Sequence, residues 1–400
     1  MTKRFDAIVV GARCAGSPTA MLLARKGYRV LVVDRASFPG DTVSTHILHP
    51  LGAGALARWG LLDRLTASGC PPMHSYAFDF GPITLVGTPG TRDAPLAYCP
   101  RRTILDKLLV DAAAESGAEV RESFSVDAVL IEDGRAVGIK GRSKQGGSIT
   151  ERAEVTVGAD GRGSLVAGAV GPPDYDEKPV LLVAYYTYWS GLAMSGRFEN
   201  YVRDKRGFAA APTHDGLTMV IVGWPYAAFD DFRSDIEGNY LKTLELAPAF
   251  AERLHDARRE ARFVGAAVPN YFRKPYGPGW ALVGDAGYNR DFITGQGIMD
   301  AFHDAELCAV ALDKAFSGAQ RFDVAMSEYQ RLRDARVKPM YEFTCQLATL
   351  EPPPPEMQQL FGAIHGNRRA MDDFARMNAG TISPAEFFAP DNVNAMTAAA

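Results

Sequence analysis

The sequence contains no apolar stretch approaching the roughly 20 residues that a bilayer-spanning helix requires, which excludes an integral membrane segment. It also lacks paired cysteines. Cys14, Cys70, Cys99, Cys308 and Cys345 are odd in number and scattered, with no Cys-x-x-Cys and no His/Cys cluster, so neither a disulfide framework nor a metal site is indicated and buried reduced thiols are expected. No dense Lys/Arg run occurs and the net charge is -4, which leaves no electrostatic footprint for nucleic acid. The start, Met1 to Asp6, runs into a short strand rather than a signal-peptide core, and a cytoplasmic protein is the expectation. Nothing in the pattern fixes the oligomeric state.

What is present is an ordinary globular composition: 400 residues, 47% hydrophobic and 22% charged. A chain of this length is expected to divide into two connected domains. Its first segment reads as a β-α-β unit. Phe5 to Val10 is a buried strand, Gly11 to Gly16 a tight turn, Pro18 to Lys26 a helix ended by Gly27, and Arg29 to Asp34 a second apolar strand of the parallel-sheet kind. Helices are expected around Leu51 to Leu65 and from Arg102 towards Ser116. Val120 to Lys140 reads as two strands turning at Glu132-Asp133-Gly134-Arg135, and Ala153 to Ala159 as another buried strand. Val180 to Trp189 and Leu217 to Trp224 form a β-rich aromatic layer, joined by loops and a helical piece near Leu241 to Arg259. Trp280 to Val283 returns to the buried-strand pattern, a helix follows from about Gly297 to Ala315, and the remainder is mostly helical.

Three turns carry chemistry. In Gly11-Ala12-Arg13-Cys14-Ala15-Gly16, glycine lets backbone N–H groups approach a pyrophosphate, the following helix adds partial positive charge, and Asp34 at the next strand end can accept hydrogen bonds from ribose hydroxyls. Arg13 stands where the usual middle glycine would be. The others are Gly158-Ala159-Asp160-Gly161 and Gly284-Asp285-Ala286, the latter followed by Gly295-Gln296-Gly297 at a helix start. Either one alone reads as a strand ending in an Asp-Gly turn. In this order the three resemble the FAD-dependent aromatic hydroxylases, single-component monooxygenases of the para-hydroxybenzoate hydroxylase type, over roughly the first 315 residues.

The resemblance implies an α/β fold: an FAD-binding Rossmann-like domain (residues 1–75, 100–178 and 272–320), an inserted β-rich α+β substrate domain (76–99 and 179–271) and a helical C-terminal region (321–400). It implies that Gly11, Arg13, Cys14, Ala15, Gly16, Asp34 and Arg35 border the ADP half of FAD, and that Arg102 lies along the cofactor. Asp160 and Gly161 would belong to the fingerprint serving FAD and pyridine nucleotide. Gly284 and Asp285 would hold the ribitol, and Gly295, Gln296 and Gly297 would border the flavin ring. The implied activity uses NAD(P)H and dioxygen to hydroxylate an aromatic or polycyclic small molecule through a flavin C4a-hydroperoxide. A flavin-dependent reductase of carbon-carbon double bonds, like geranylgeranyl reductases, is the alternative. A halogenase has only Trp224-Pro225 in its favour, and a flavin-binding protein without turnover remains open. The chain departs from the family at Arg13, at Tyr288 in place of histidine, at Phe292 in place of proline, and at Ala167 in place of an arginine that bears on NAD(P)H docking.

For the substrate pocket the β layer offers Tyr186, Tyr188, His214, Met219 and Trp224; alternation puts Tyr186 and Tyr188 on one strand face, and the sequence does not say which face meets the flavin. His214 sits in the polar turn Thr213 to Gly216 and reads as a solvated loop residue in preference to a catalytic base. Thr45 and His46 are the candidate catalytic residues, in a loop that runs beside FAD in this scaffold; the same segment also reads as helix capping.

Overall fold

The structure is a computed structural model that describes residues 4–144 and 146–398. Phe5–Val10, Val30–Val33, Trp280–Leu282 and the buried C-terminal half of Ser148–Gly158 are mostly apolar, and they pair in parallel at the centre of an eight-stranded sheet counted over the described residues. Strand alternation sorts their side chains onto two buried faces. Ala7, Val9, Val30, Val32, Val155 and Val157 meet the helices Gly16–Ala24, Arg102–Glu115 and Gly297–Phe316. Ile8, Val10, Leu31 and Val33 instead meet Phe124, Val129, Ile139 and Val166. This is the expected Rossmann-like α/β arrangement, closed on one side by helices and on the other by the antiparallel strands Phe124–Glu132 and Arg135–Ser143.

A second eight-stranded sheet, again counted over the described residues, is antiparallel except where Arg197–Arg203 runs parallel to Ser75–Asp79. Its central strands are Leu182–Ser190 and Thr218–Pro225. Joining loops were expected between these two, yet Arg197–Arg203 and Arg206–Pro212 form a hairpin there. Its two turn residues, Asp204 and Lys205, both have left-handed backbones (φ 49° and 55°), the geometry a two-residue hairpin needs but that Asp-Lys does not advertise. The helix expected over Leu51 to Leu65 is broken at Gly60 (φ 76°) into Pro50–Arg58 and Leu62–Ala67.

The C-terminal helices bind the two layers together. Phe322–Leu347 inserts Arg333, fully buried, which donates to the carbonyls of Gly287 (3.1 Å) and Arg273 (3.1 Å), to Tyr175 Oη (2.7 Å) and to Asp334 (2.9 Å). Tyr329 from the same helix donates to the Leu282 carbonyl at 2.8 Å. No helix among the described residues is long and apolar enough to cross a membrane.

Removing Arg333 orphans two carbonyls and leaves Asp334 and buried Asp304 without their cation. Arg333→Met is expected to lower the unfolding free energy by about 3 kcal/mol or more, read from urea denaturation; an unchanged midpoint would contradict this packing.

Candidate flavin site

Val10, Gly158 and Leu282 lie in register on neighbouring strands, so the turns that follow them open along one edge of the sheet, at the carboxyl ends where α/β folds bind ligands. Gly11 has φ 101°, and a Cβ there would sit 2.3 Å from the Ala159 carbonyl oxygen; one on Gly16 would sit 1.8 Å from the Gly11 oxygen. Gly11 is therefore demanded by backbone contact between the first and second turns, and Gly16 by backbone contact within the first turn. The turns and the β layer enclose a cleft of about 850 Å³, within the size range of cofactor sites, running from Asp34 and Arg35 at one end to Tyr186, Ile221 and Phe292 at the other.

Arg13 does not close the cleft. Its guanidinium turns to Asp106 (2.5 Å) and to the Gly40 carbonyl (3.3 Å) and lies over the Phe38 ring. Fully buried Asp106 also accepts from Arg102 (2.9 and 3.1 Å), and Cys14 Sγ lies 3.5 Å from it. One carboxylate thus fixes both arginines beside the glycine turn. Asp106 was missed in the sequence, although its place four residues after Arg102 on one helix face was the available signal.

Asp34 accepts from the backbone N–H of Ala12 and of Ala36, each at 2.8 Å, which ties the acidic strand end to the glycine turn. Asp160 accepts from Ser164 Oγ (2.5 Å) and Leu165 N (2.7 Å), holding the start of the helix Leu165–Val170. Its carboxylate serves the turn itself, although the residue lines the cleft. Asp285 is exposed on the cleft floor. The surrounding protein raises its pKa above the usual carboxylate value, and Arg162 and Arg102 partly offset this. Behind it the Gly284 N–H donates to Asp304 (3.1 Å), whose burial lifts its pKa to about 7 against the opposing effect of Arg333.

The helices Gly16–Ala24 and Gly297–Phe316 both start at the cleft with no side chain capping them among the described residues; the second keeps its first-turn N–H groups for a ligand, while in the first Ser17 N–H is spent on the Arg13 carbonyl (3.1 Å) and Pro18 has none, which leaves that of Gly16. Two uncapped helix starts, carboxylates towards both ends and a long cleft fit an elongated dinucleotide with a central pyrophosphate. Gly295 and Gly297 line the cleft, whereas the Gln296 side chain is turned away and donates to the Asn378 carbonyl at 2.8 Å.

On the substrate side the structure separates the candidates. Tyr186 lines the cleft with Ala184, Ile221, Ala266 and Val268. Tyr188 and Met219 share its strand face but sit behind the cleft, packed with the C-terminal helices. Trp224 falls on the opposite face, stacked on Phe232 with its N–H donated to Thr243 (2.9 Å); strand alternation removes it from the pocket. His214 is neither solvated nor in the cleft. It is buried, accepts from the Arg101 N–H at Nδ1 (3.2 Å) and therefore carries its proton on Nε2, which faces Ser68 Oγ at 2.9 Å.

Thr45 lines the cleft, and His46 is buried just behind it in a left-handed backbone (φ 60°), with Nε2 2.6 Å from Tyr188 Oη. Burial, then the charges of Arg102 and Arg101, lower the His46 pKa to about 3, so the ring is neutral. His49 went unnoticed in the sequence: it donates from Nε2 to the Thr294 carbonyl (2.9 Å) and accepts at Nδ1 from Tyr76 (2.8 Å), bracing the turn before Gly295.

Comparison with known proteins agrees with this geometry. The chain belongs to the family described as an FAD binding domain, which matches residues 4–344, and it is accordingly an FAD-dependent oxidoreductase. Among particular relatives, it is 26% identical over 343 residues to the digeranylgeranylglycerophospholipid reductase of Methanosarcina mazei, covering 82% of this chain and 80% of that one. The fold is shared with the myxobacterial chondrochloren halogenase CndH (TM-score 0.80, 22% identity, 99% and 97% of the two chains). It is shared as well with PqsL of Pseudomonas aeruginosa, solved with 2-aminobenzoylacetate (TM-score 0.72, 21% identity, 95% and 100%).

Gly16→Ala drives a methyl into the Gly11 carbonyl and distorts the first turn, and it is expected to weaken FAD binding at least about tenfold, measured by quenching of flavin fluorescence; unaltered affinity would remove the backbone contact from the account. For His46, the folded pKa lies below the unfolded value of 6.5, so its contribution to stability is complete above pH 6.5 and is lost as pH falls towards 3. Relative to His46→Asn, which tolerates the left-handed backbone, the natural protein should therefore lose stability between pH 6.5 and 4.5 in denaturant titrations. Parallel pH profiles would show His46 to be no more buried than a surface histidine.

Proposed function

We propose that the protein is an FAD-dependent monooxygenase that uses NAD(P)H and dioxygen to hydroxylate an aromatic or polycyclic small molecule. The observation that carries this reading is the placement of an apolar, aromatic wall, Ala184, Tyr186, Ile221, Ala266, Val268 and Phe292, in the same cleft as the uncapped helix start at Gly297. Bound FAD would supply the redox chemistry and the activation of oxygen. The chain's own residues have simpler tasks. Gly11 to Gly16, Asp34 and Arg102 would hold the ADP half, and Asp285 the ribitol. Backbone N–H groups at Gly295 to Gly297 would favour negative charge on the pyrimidine side of the ring. The β-layer wall would orient a flat substrate and exclude water from the reacting face. The aromatic ligand of PqsL supports a substrate of this class.

A second reading, reduction of a carbon-carbon double bond, is favoured by the likeness to the archaeal lipid reductase and by Ala167, which occupies the place of the arginine associated with NAD(P)H. Oxygen consumption separates the two. Purified yellow protein supplied with NADH or NADPH and electron-rich phenols should take up oxygen in step with donor oxidation and release hydroxylated product. Anaerobic turnover of a prenyl substrate at an equal rate would instead establish the reductase, and product halogenation dependent on chloride or bromide would establish a halogenase.

A further inference from the structure

The cleft wall contains polar hydrogens that the fold itself does not use. Arg290 and Tyr288 both line the cleft and are 7% and 3% exposed. The Arg290 guanidinium spends one nitrogen on Asp300 (Nη2 to Oδ2, 2.6 Å), while its Nε and Nη1 have no partner among the described residues; neither does the hydroxyl of Tyr288. The guanidinium carbon lies 5.7 Å from the Tyr288 ring centroid. Tyr288 remains protonated because burial pushes its pKa well above the ordinary value, so it too can donate. Buried donors left unpaired are costly in a fold that satisfies almost all others.

We propose that Arg290 and Tyr288 form a subsite for an anionic oxygen of the substrate, a phenolate or the enolate of a polycyclic ketone. This deepens the reading above and rests on it. Three unused donors near one another accept no cation, and a delocalised oxyanion matches the planar guanidinium edge that Asp300 leaves free. Asp285, Asp291 and Asp300 are the neighbouring carboxyls that also line the cleft. Burial raises the pKa of all three, Asp291 to about 7, with Arg162 and Arg102 opposing the shift at Asp285 and Arg290 opposing it at Asp300, so at mildly acidic pH the Asp291 carboxyl is largely neutral and does not cancel the arginine. An ionised oxygen makes an aromatic ring more electron-rich, so holding the substrate in that form would favour attack on carbon.

Binding of 4-nitrophenol to the FAD-loaded protein tests this, because the phenolate is visible near 400 nm and nitrobenzene serves as a neutral isostere. The holoprotein should bind the phenolate at least about tenfold more tightly than nitrobenzene and lower the apparent pKa of the bound phenol. Arg290→Gln should abolish that preference while nitrobenzene binding and FAD content persist. Should Arg290→Gln fail to retain FAD, Tyr288→Phe decides: it should reduce the preference several-fold. Equal affinity for the two probes in the natural protein, or an undiminished preference in either FAD-loaded variant, overturns the subsite. The titration uses neither electron donor nor oxygen. A yellow protein that prefers phenolate but never couples oxygen uptake to substrate would thus keep the subsite and lose the monooxygenase reading.

Discussion

The contact on which the site depends is between two pieces of backbone. Gly11 lies so close to the Ala159 carbonyl, and Gly16 so close to the Gly11 carbonyl, that a single methyl group on either would collide. That contact forces the first two turns together at the end of paired parallel strands, and the third turn follows because Leu282 is in register with Gly158. Helix starts, acidic strand ends and the cleft between them are consequences of this register. A fold that placed these strands one residue out of register would point the same side chains into the opposite layer.

Around that contact, charge is arranged in pairs that leave the cleft open. Asp106 draws Arg13 and Arg102 to one side, Asp160 turns inward to cap its own helix, and Arg333 with Tyr329 grips the third turn from behind. Asp285 alone of the motif carboxylates is left exposed on the cleft floor. The departure of Arg13 from the glycine pattern is therefore accommodated by a partner on a distant helix, which explains how a bulky side chain can occupy a phosphate-binding turn without filling it.

Much of this was legible in the sequence because it is local. The buried strands, the glycine turns and the helix starts each leave a pattern within a dozen residues. What escaped was set by distance. Asp-Lys does not signal a hairpin, and only pairing with the neighbouring strand reveals the turn at 204 and 205. Strand alternation correctly linked Tyr186 with Tyr188, but their separation, one in the cleft and one behind it, depends on the C-terminal helices packed more than 170 residues later. Trp224 looked like a pocket residue because it is aromatic, and it is excluded because its pairing with Val183, which only the register between the two strands reveals, turns it onto the face opposite Tyr186. His49 and Arg290 gained meaning only when the Thr294 turn and Asp300 were brought to them.

The central claim, that three turns converge on one dinucleotide, is most directly tested by titrating the apoprotein with FAD and competing with ADP. The account predicts one FAD per chain with quenched flavin fluorescence, and displacement by ADP, because the turn at 11 to 16 holds the adenosine diphosphate half. A chain that takes up no FAD, or takes it up without competition from ADP, would contradict it.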